Sequence, residues 1–278
     1  MRAVSLDGVT VAYDDVGRGD ALVLVHGHPF DRSMWHPQVE RFSRAGLRVI
    51  VPDLRGYGGS TVVPGKTTLD VYARDIARLL DHLEVGAAVL VGLSMGGQIV
   101  LDFHRLFASR VRGLVLADTS ARAESKEGKK ARGEMANRLL REGMGPYADE
   151  VLPMMIAPSN IEALPQVAQH VLTMMRATSP DGAAAALRGR AERPDYVDML
   201  SRVEVPTLVV VGQDDEFTPI ADAQLLHDRI RGSQLVIVDG AAHMPNLERP
   251  DEFNAAMESY LASIAAHAPL AQTLRGIG

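Results

Sequence analysis

The chain has 278 residues, of which 46% are hydrophobic, and a formal net charge of −6. A chain of this length folds as one large domain, or as one domain with an insertion. The charge is mild and the basic residues are not clustered, so we expect no nucleic-acid partner. There is no cysteine, which excludes disulfides and cysteine metal sites and suits a reducing compartment.

Neither an export signal nor a membrane span is expected. Residues 1–8 lack the apolar core of a signal peptide. No run of about 18 apolar residues occurs, so a transmembrane helix is not expected either. We therefore expect a cytoplasmic protein with no membrane partner, and the sequence leaves its oligomeric state open.

Strand and helix patterns alternate over the first part of the chain. Residues 8–14 alternate between apolar and polar positions, as an edge strand does, and residues 21–26 form the continuous apolar run of a strand buried on both faces. Further strands are predicted at 47–51, from Ala87 onwards and at 111–117, with helices at 31–44, 69–83 and 98–107. This alternation predicts a parallel sheet covered by helices on both faces.

The alternation stops after Asp118. Residues 120–198 contain no convincing strand, and their prolines divide them into several short helices. Strands then return at 206–212 and 234–238, with helices at 219–229 and from about Pro250. We therefore predict a core formed by residues 1–119 and 199–278, and a helical cap formed by residues 120–198. An insertion after the C-terminal end of a strand lies where such sheets hold their sites.

Ser94 lies in the most informative motif, Gly92-Leu93-Ser94-Met95-Gly96, between a strand pattern and a helix pattern. Such a junction is the pattern of a nucleophile elbow, a tight turn that exposes the serine hydroxyl. A Cβ at either glycine would crowd this turn. Met95 opens the helix, so its N–H can help to stabilise an oxyanion. The alternative is a structural glycine-rich turn with an incidental serine.

A nucleophilic serine needs a general base that is held in place by a third group. His243 follows the last predicted strand in a loop, and we expect it to be this base rather than an ordinary loop histidine. Other histidines lie in predicted helices, where they are expected to face solvent: His82, His104, His170 and His227.

Three aspartates follow predicted strands and compete for the role of the third group. Asp215 lies three residues after Gly212, and the order Ser, Asp, His is the order that this elbow type uses. Asp118 also ends a strand and is the rival. Asp53 stands near Arg55, and we expect a structural ion pair there. We therefore predict that Asp215 orients His243.

Five motifs together resemble the α/β-hydrolase superfamily. They are Val25-His26-Gly27-His28-Pro29 through Met34-Trp35, residues 52–60 (PDLRGYGGS), 92–97 (GLSMGG), 212–219 and 240–250 (GAAHMPNLERP). The resemblance covers roughly residues 8–119 and 200–265. Within the superfamily, the chain is similar to bacterial arylesterases, cofactor-free haloperoxidases and 3-oxoadipate enol-lactonases. The start of the insertion, residues 116–124, is similar to the enol-lactonases.

This resemblance implies a mostly parallel α/β-hydrolase sheet with helices on both faces and a helical cap insertion. It also implies an oxyanion hole formed by the backbone N–H groups of His28 and Met95, and a reaction that needs no metal or organic cofactor. His26 is expected to be structural, with its ring bonded to loop backbone. The side chain of His28 either contacts substrate, or packs against other residues, or faces water.

The sequence therefore predicts a serine carboxylesterase that acts on a small-molecule ester. Hydrolysis of an enol-lactone by the same three residues, Ser94, His243 and Asp215, is a second interpretation. Perhydrolase or haloperoxidase side activity is a third, because arylesterase relatives with a proline at the position of Pro29 are associated with perhydrolysis. A ligand receptor on the same fold is the non-catalytic alternative. Serine at position 94, rather than aspartate, argues against haloalkane dehalogenases and epoxide hydrolases.

Overall fold

Eight strands form one sheet in the computed structural model of the chain, which describes residues 1–267. The order across the sheet is β1-β2-β4-β3-β5-β6-β7-β8. Strands β1 and β2 run antiparallel to their neighbours, and all pairs from β4 to β8 are parallel. The strands are β1 (Arg2–Leu6), β2 (Val9–Val16), β3 (Ala21–Val25), β4 (Arg48–Pro52), β5 (Ala88–Leu93), β6 (Val111–Ala117), β7 (Thr207–Gly212) and β8 (Gln234–Val238).

The helices connect these strands and cover both faces of the sheet. They are α1 (His36–Arg44), α2 (Leu69–His82), α3 (Met95–Phe107), α4 (Lys126–Glu142), α5 (Met144–Met155), α6 (Pro158–Ala163), α7 (Pro165–Ala177), α8 (Pro180–Ala191), α9 (Val197–Leu200), α10 (Ile220–Arg229), α11 (Pro245–Glu248) and α12 (Pro250–His267). None of the helices within residues 1–267 has both the length and the apolarity needed to cross a bilayer.

The central strands are buried on both faces because they separate two apolar clusters. Successive side chains of a strand point to opposite faces, so Val25 joins the cluster beneath α2, α3 and α10, whereas Leu24 joins the cluster beneath α1 and α12. The continuous apolar pattern of residues 21–26 follows from this burial. The mostly parallel α/β sheet with helices on both faces agrees with the prediction.

Two local features differ from the sequence prediction. Strand β1 was not predicted, because it is a short, largely exposed strand that pairs only with β2 at the edge of the sheet. The helix predicted over residues 31–44 begins as a 3₁₀ turn at Arg32–Trp35 and continues as α1. Pro37 lies in the first turn of α1, where its missing N–H costs no hydrogen bond.

Helices α4 to α8 lie between β6 and β7, as expected for a helical insertion. Helix α8 packs with its backbone directly on the core. A Cβ on Gly182 would lie 2.0 Å from the carbonyl oxygen of Gly56, and a Cβ on Gly189 would lie 1.7 Å from that of Thr67. The backbone N–H of Thr67 also donates to the carbonyl of Ala185 at 3.0 Å. Only glycine allows backbones to approach so closely.

The division into a core and a cap stays a prediction. Helix α9 crosses the predicted boundary between residues 198 and 199. Residues 268–278 of the predicted core lie outside the described residues.

Candidate active site

Ser94 occupies a sharp turn between β5 and α3. Its backbone angles are φ 58° and ψ −116°, a conformation that non-glycine residues rarely adopt. A Cβ on Gly92 would lie 2.2 Å from the carbonyl oxygen of Gly96, and one on Gly96 would lie 2.2 Å from that of Val25. A side chain at either position would therefore clash with the backbone, as predicted from the sequence. Strained backbone of this kind persists only where the surrounding structure enforces it, and it clusters at functional sites.

The two predicted oxyanion donors lie on segments that adjoin this turn. Met95 is the first residue of α3, so its N–H has no carbonyl partner within the helix. His28 lies in the loop after β3, and this loop packs against the turn. A Cβ on Gly27 would lie only 3.0 Å from the carbonyl oxygen of Leu93 and 3.2 Å from the Cβ of Ser94. The structure thus brings both segments to Ser94.

His243 and Asp215 form a buried hydrogen-bonded pair. Nδ1 of His243 lies 2.8 Å from Oδ2 of Asp215, and both residues are at most 5% exposed. They come from the loops after β8 and β7, so the parallel strands deliver both side chains to the same edge of the sheet. The ring of Phe217 packs against the His243 ring, with the centroids 5.1 Å apart.

The loop after β7 holds Asp215 in its charged form. Burial alone raises the pKa of this carboxyl, but His243 and hydrogen bonds from Thr218 outweigh burial and lower the pKa below its ordinary value. The backbone N–H of Phe217 also donates to Oδ1 at 2.8 Å. Asp215 is therefore a fixed carboxylate that can select the tautomer and orientation of His243.

Asp118, the rival acid, lies behind this pair in a different environment. It is fully buried, its Oδ1 accepts the backbone N–H of Gly212 at 2.8 Å, and its Oδ2 accepts from no donor group of the described residues. Burial, followed by the nearby Asp215 carboxylate, raises the pKa of Asp118 well above its ordinary value. Burial and the neighbouring carboxylate therefore favour the neutral form of Asp118.

Asp118, Asp215 and His243 are also a group that could hold a metal ion, since one ligand atom from each lies within 4.8 Å of the others. Protein hydrogen bonds already use the key atoms. Asp215 Oδ2 pairs with His243, and Asp118 Oδ1 pairs with Gly212. The geometry fits a hydrogen-bonded acid–histidine pair better than a metal centre.

A buried carboxylate also anchors the loop that carries His243. Glu248 is 2% exposed, and its Oε1 accepts the backbone N–H of Ala242 at 2.9 Å. Its Oε2 accepts from the side chain of Asn160 at 2.7 Å and from the backbone N–H of Ala157 at 2.9 Å. Because Asn160 and Ala157 belong to the insertion, one side chain links the insertion to the residue before His243.

Two further histidines, His26 and His28, lie near Ser94 and differ in their surroundings. Nδ1 of His26 donates to the carbonyl of Gly27 at 2.8 Å, and its Nε2 accepts the backbone N–H of Leu54 at 2.9 Å, as a structural histidine should. His28 bonds the hydroxyl of Tyr57 through Nδ1 at 2.7 Å, while its buried Nε2 has no described partner. Burial, then the charges of Arg190 and Arg132, lower the pKa of His28 well below its ordinary value.

Two expectations about other polar residues need correction. His104 does not face solvent; it is 9% exposed because α3 is buried along most of its length. Asp53 forms a structural ion pair, but its partner is Arg32 rather than Arg55. Arg55 instead pairs with Asp75 at 2.7 Å. Asp53 and Arg55 are only two residues apart, but both follow the end of β4 and the loop directs them to different partners.

Comparison with known proteins assigns the chain to a family. Residues 22–256 match the model of the alpha/beta hydrolase family. The chain belongs to this family. It is 30% identical to 3-oxoadipate enol-lactonase 2 of Acinetobacter baylyi over 91% of this chain and 93% of that protein.

Two other relatives carry different names. An esterase of Thermogutta terrifontis, solved with malate bound, superimposes with a TM-score of 0.92 at 39% identity, over 95% of this chain and 99% of the other. A putative non-heme chloroperoxidase of Synechocystis is 28% identical over 91% of this chain and 95% of that protein. The relatives of this hydrolase therefore include lactonases, esterases and haloperoxidases.

The hydrolase has a cavity of about 290 Å³ above the strand ends, close to the lower limit for ligand pockets. Ser94, His243 and the side chain of His28 all line it. The insertion contributes Tyr147, Met155 and Leu187 as well as several charged residues. The cavity thus places the side chains of Ser94 and His243 beneath residues of the predicted cap.

Four arginines line this cavity, which sequence analysis missed. They are Arg122, Arg132, Arg190 and Arg193. They belong to two segments of the chain, residues 122–132 and 190–193, which only the fold brings together. The spacing of basic residues along the sequence does not show that these two segments meet.

Proposed function

We propose that the hydrolase cleaves small carboxylic esters through an acyl-enzyme intermediate. Ser94 is the nucleophile, His243 the general base and acid, and Asp215 the group that orients His243. The backbone N–H groups of His28 and Met95 form the oxyanion hole. The observation that carries the proposal is that His243, hydrogen-bonded to the buried Asp215, lines the same cavity as Ser94 in its strained turn.

The proposed reaction has two halves. In the first, Oγ of Ser94 attacks the ester carbonyl carbon while Nε2 of His243 takes the hydroxyl proton. The tetrahedral oxyanion accepts hydrogen bonds from the two backbone N–H groups, which act as preorganised donors. Collapse of the intermediate breaks the bond to the alcohol, and the imidazolium returns the proton to the departing oxygen.

In the second half, water attacks the acyl-enzyme while His243 again takes a proton. When the second tetrahedral intermediate collapses, the bond to Oγ of Ser94 breaks and the imidazolium returns its proton to this oxygen. The carboxylic acid is released, and the hydroxyl of Ser94 and the neutral imidazole are restored. The negative charge of Asp215 stabilises the imidazolium in both halves.

A panel of p-nitrophenyl esters of rising acyl length tests the proposal. We expect turnover with the shorter esters, given the small cavity, and one covalent adduct at Ser94 after treatment with a serine-directed phosphonate. Mass spectrometry of the digested protein locates the adduct. Absence of turnover across the panel, or an adduct on another residue, would refute the proposed mechanism.

Hydrolysis of an enol-lactone is a second candidate, favoured by the relationship to 3-oxoadipate enol-lactonase 2. The same residues serve this reaction, because a lactone is a cyclic ester whose alcohol stays attached after cleavage. A side activity in which hydrogen peroxide replaces water in the second half is supported by Pro29 and by the chloroperoxidase relative. A lactone assay and a peracid assay on the same preparation separate these activities.

A further inference from the structure

The guanidinium of Arg190 is buried in the cavity without an acidic partner. Arg190 is 9% exposed and lies in α8, and its Nε donates to the side-chain oxygen of Gln98 at 3.1 Å. The ion pairs formed by residues 1–267 include none with Arg190. An arginine remains charged in a protein, and a buried charge is costly unless it is paired.

The acids that line the cavity do not neutralise Arg190. Glu124 is already shared by Arg132 and Arg193, and hydrogen bonds from these two arginines outweigh burial and lower the pKa of Glu124 to about 2. The other lining acid, Asp222, lies near Arg122, whose charge opposes the effect of burial on the Asp222 carboxyl. The cavity therefore keeps an excess of positive charge.

Arg190 also lies close to the reacting groups. Its partner Gln98 is in the first turn of α3, where the backbone N–H of Gln98 donates to the carbonyl of Ser94 at 3.2 Å. A second polar group of the same cavity is unpartnered, namely the buried Nε2 of His28. An anion in the cavity would meet both groups beside the serine.

We propose that the substrate carries a carboxylate, which binds the guanidinium of Arg190 while its ester group lies at Ser94. The inference rests on the proposed ester hydrolysis and names its substrate class. A carboxylate suits the site because the planar fork of arginine can donate two parallel hydrogen bonds to it. It also supplies the counter-charge that the cavity lacks.

Two pairs of esters that differ only in charge test the inference. Monoethyl succinate is compared with ethyl succinamate, which place the charged or neutral group on the acyl side. 4-Acetoxybenzoate is compared with 4-acetoxybenzamide, which place it on the alcohol side. We expect kcat/KM to favour the carboxylate in at least one pair by roughly 10- to 100-fold, the range for a charge-assisted hydrogen bond. Ratios near one in both pairs overturn the inference.

Variants then assign the preference to one side chain. For the preferred pair, Arg190→Gln is expected to bring the kcat/KM ratio of the carboxylate ester to its amide close to one. Arg190→Lys should retain part of the preference, because a lysine keeps the positive charge but not the planar fork of the guanidinium. Arg188→Gln is the matched control, since Arg188 lies on the same helix but bonds Gly65 and Asn137 outside the cavity. An unchanged ratio in folded Arg190→Gln also overturns the inference.

A binding measurement separates this inference from the proposed function. Calorimetric titration of the Ser94→Ala variant with monoethyl succinate and ethyl succinamate needs no turnover. We expect the acid to bind at least about tenfold more tightly, and this difference to disappear when Arg190→Gln is added. A binding preference without hydrolysis would refute only the proposed function, and hydrolysis without any preference would refute only this inference.

Discussion

The carboxylate of Glu248 accepts a hydrogen bond of 2.7 Å from the side-chain amide of Asn160, which lies 88 residues away in the insertion. The same carboxylate accepts the backbone N–H of Ala242, the residue before His243. Three N–H donors in all converge on this one buried acid. The position of the proposed base therefore depends on a contact with the insertion.

Glu248→Gln tests this dependence. A glutamine has one acceptor oxygen and an N–H₂ group that would face a donor, so at least one buried N–H loses its partner. We expect a loss of about 1–3 kcal/mol in the free energy of unfolding and a lower kcat, because the loop of His243 is released. Urea denaturation and ester kinetics measure the two effects. Glu252→Gln, an exposed change on α12, is the control and should alter neither.

Ser94→Ala should fold normally and lose at least about a thousandfold in kcat, with the remaining rate supplied by the oxyanion hole and binding. The substitution removes only the attacking oxygen and leaves the backbone turn in place. Ester kinetics measure the rate, and circular dichroism checks the fold. A folded alanine variant with near-normal activity would contradict the assignment of the nucleophile.

Asp215→Asn and Asp118→Asn should differ sharply in activity. The first change removes the charge that stabilises the imidazolium, and we expect kcat to fall on the order of ten-thousandfold. The second replaces an acid whose neutral form is favoured by burial with a neutral amide, so most activity should remain. Asp214→Asn is the neighbour control, since Asp214 could replace Asp215 if the loop rearranged. An inactive Asp118→Asn with active variants at both loop positions would assign the orienting role to Asp118.

Asp118 should also make stability depend on pH. Its pKa is raised in the folded protein, so its contribution to stability is fully present below the unfolded value of 3.8 and is lost as pH rises through the folded value. An asparagine at position 118 cannot ionise, so the variant lacks this pH-dependent contribution. Its free energy of unfolding should therefore fall less than that of the wild type as pH rises from acidic to alkaline values. Urea midpoints at several pH values measure this. Asp239→Asn, an exposed acid after β8, should behave like the wild type.

Substitutions in the insertion should change the preferred acyl length. Met155 and Leu187 line the cavity, so Met155→Ala or Leu187→Ala enlarges it and should move the optimum of the p-nitrophenyl ester panel towards longer chains. We expect kcat/KM for the acetate ester to change less than kcat/KM for the longer esters. Leu140→Ala, which truncates a side chain of the insertion that is 42% exposed, is the control. An unaltered length profile in both cavity variants would show that the insertion does not select the substrate.

Short motifs located the proposed catalytic residues because each lies where a strand ends. Ser94, Asp215 and His243 follow β5, β7 and β8, and parallel strands bring their C-terminal ends to one edge of the sheet. Sequence order was therefore enough to place them together. The order Ser, Asp, His also fits Asp118, so the prediction of Asp215 depended on its spacing from Gly212. In the structure, His243 forms its hydrogen bond with Asp215.

Features that depend on packing between distant helices could not be predicted. Arg190 lies near His28 only because α8 packs on the core, and no periodic pattern carries that information. His104 was misjudged for a related reason, since the polar side chain gave no sign that α3 is covered on nearly all sides. Glu248 was part of a motif, but its three donors come from segments that meet only in the fold.

The backbone contact between Gly182 and Gly56 limits how this enzyme can be engineered. The two residues touch without side chains, so an insertion taken from a relative fits this core only if it presents a glycine at the same point. The same holds for Gly189 against Thr67. A chimera that exchanges residues 120–198 as a block must therefore carry both glycines with it, or import matching loops at positions 56 and 67.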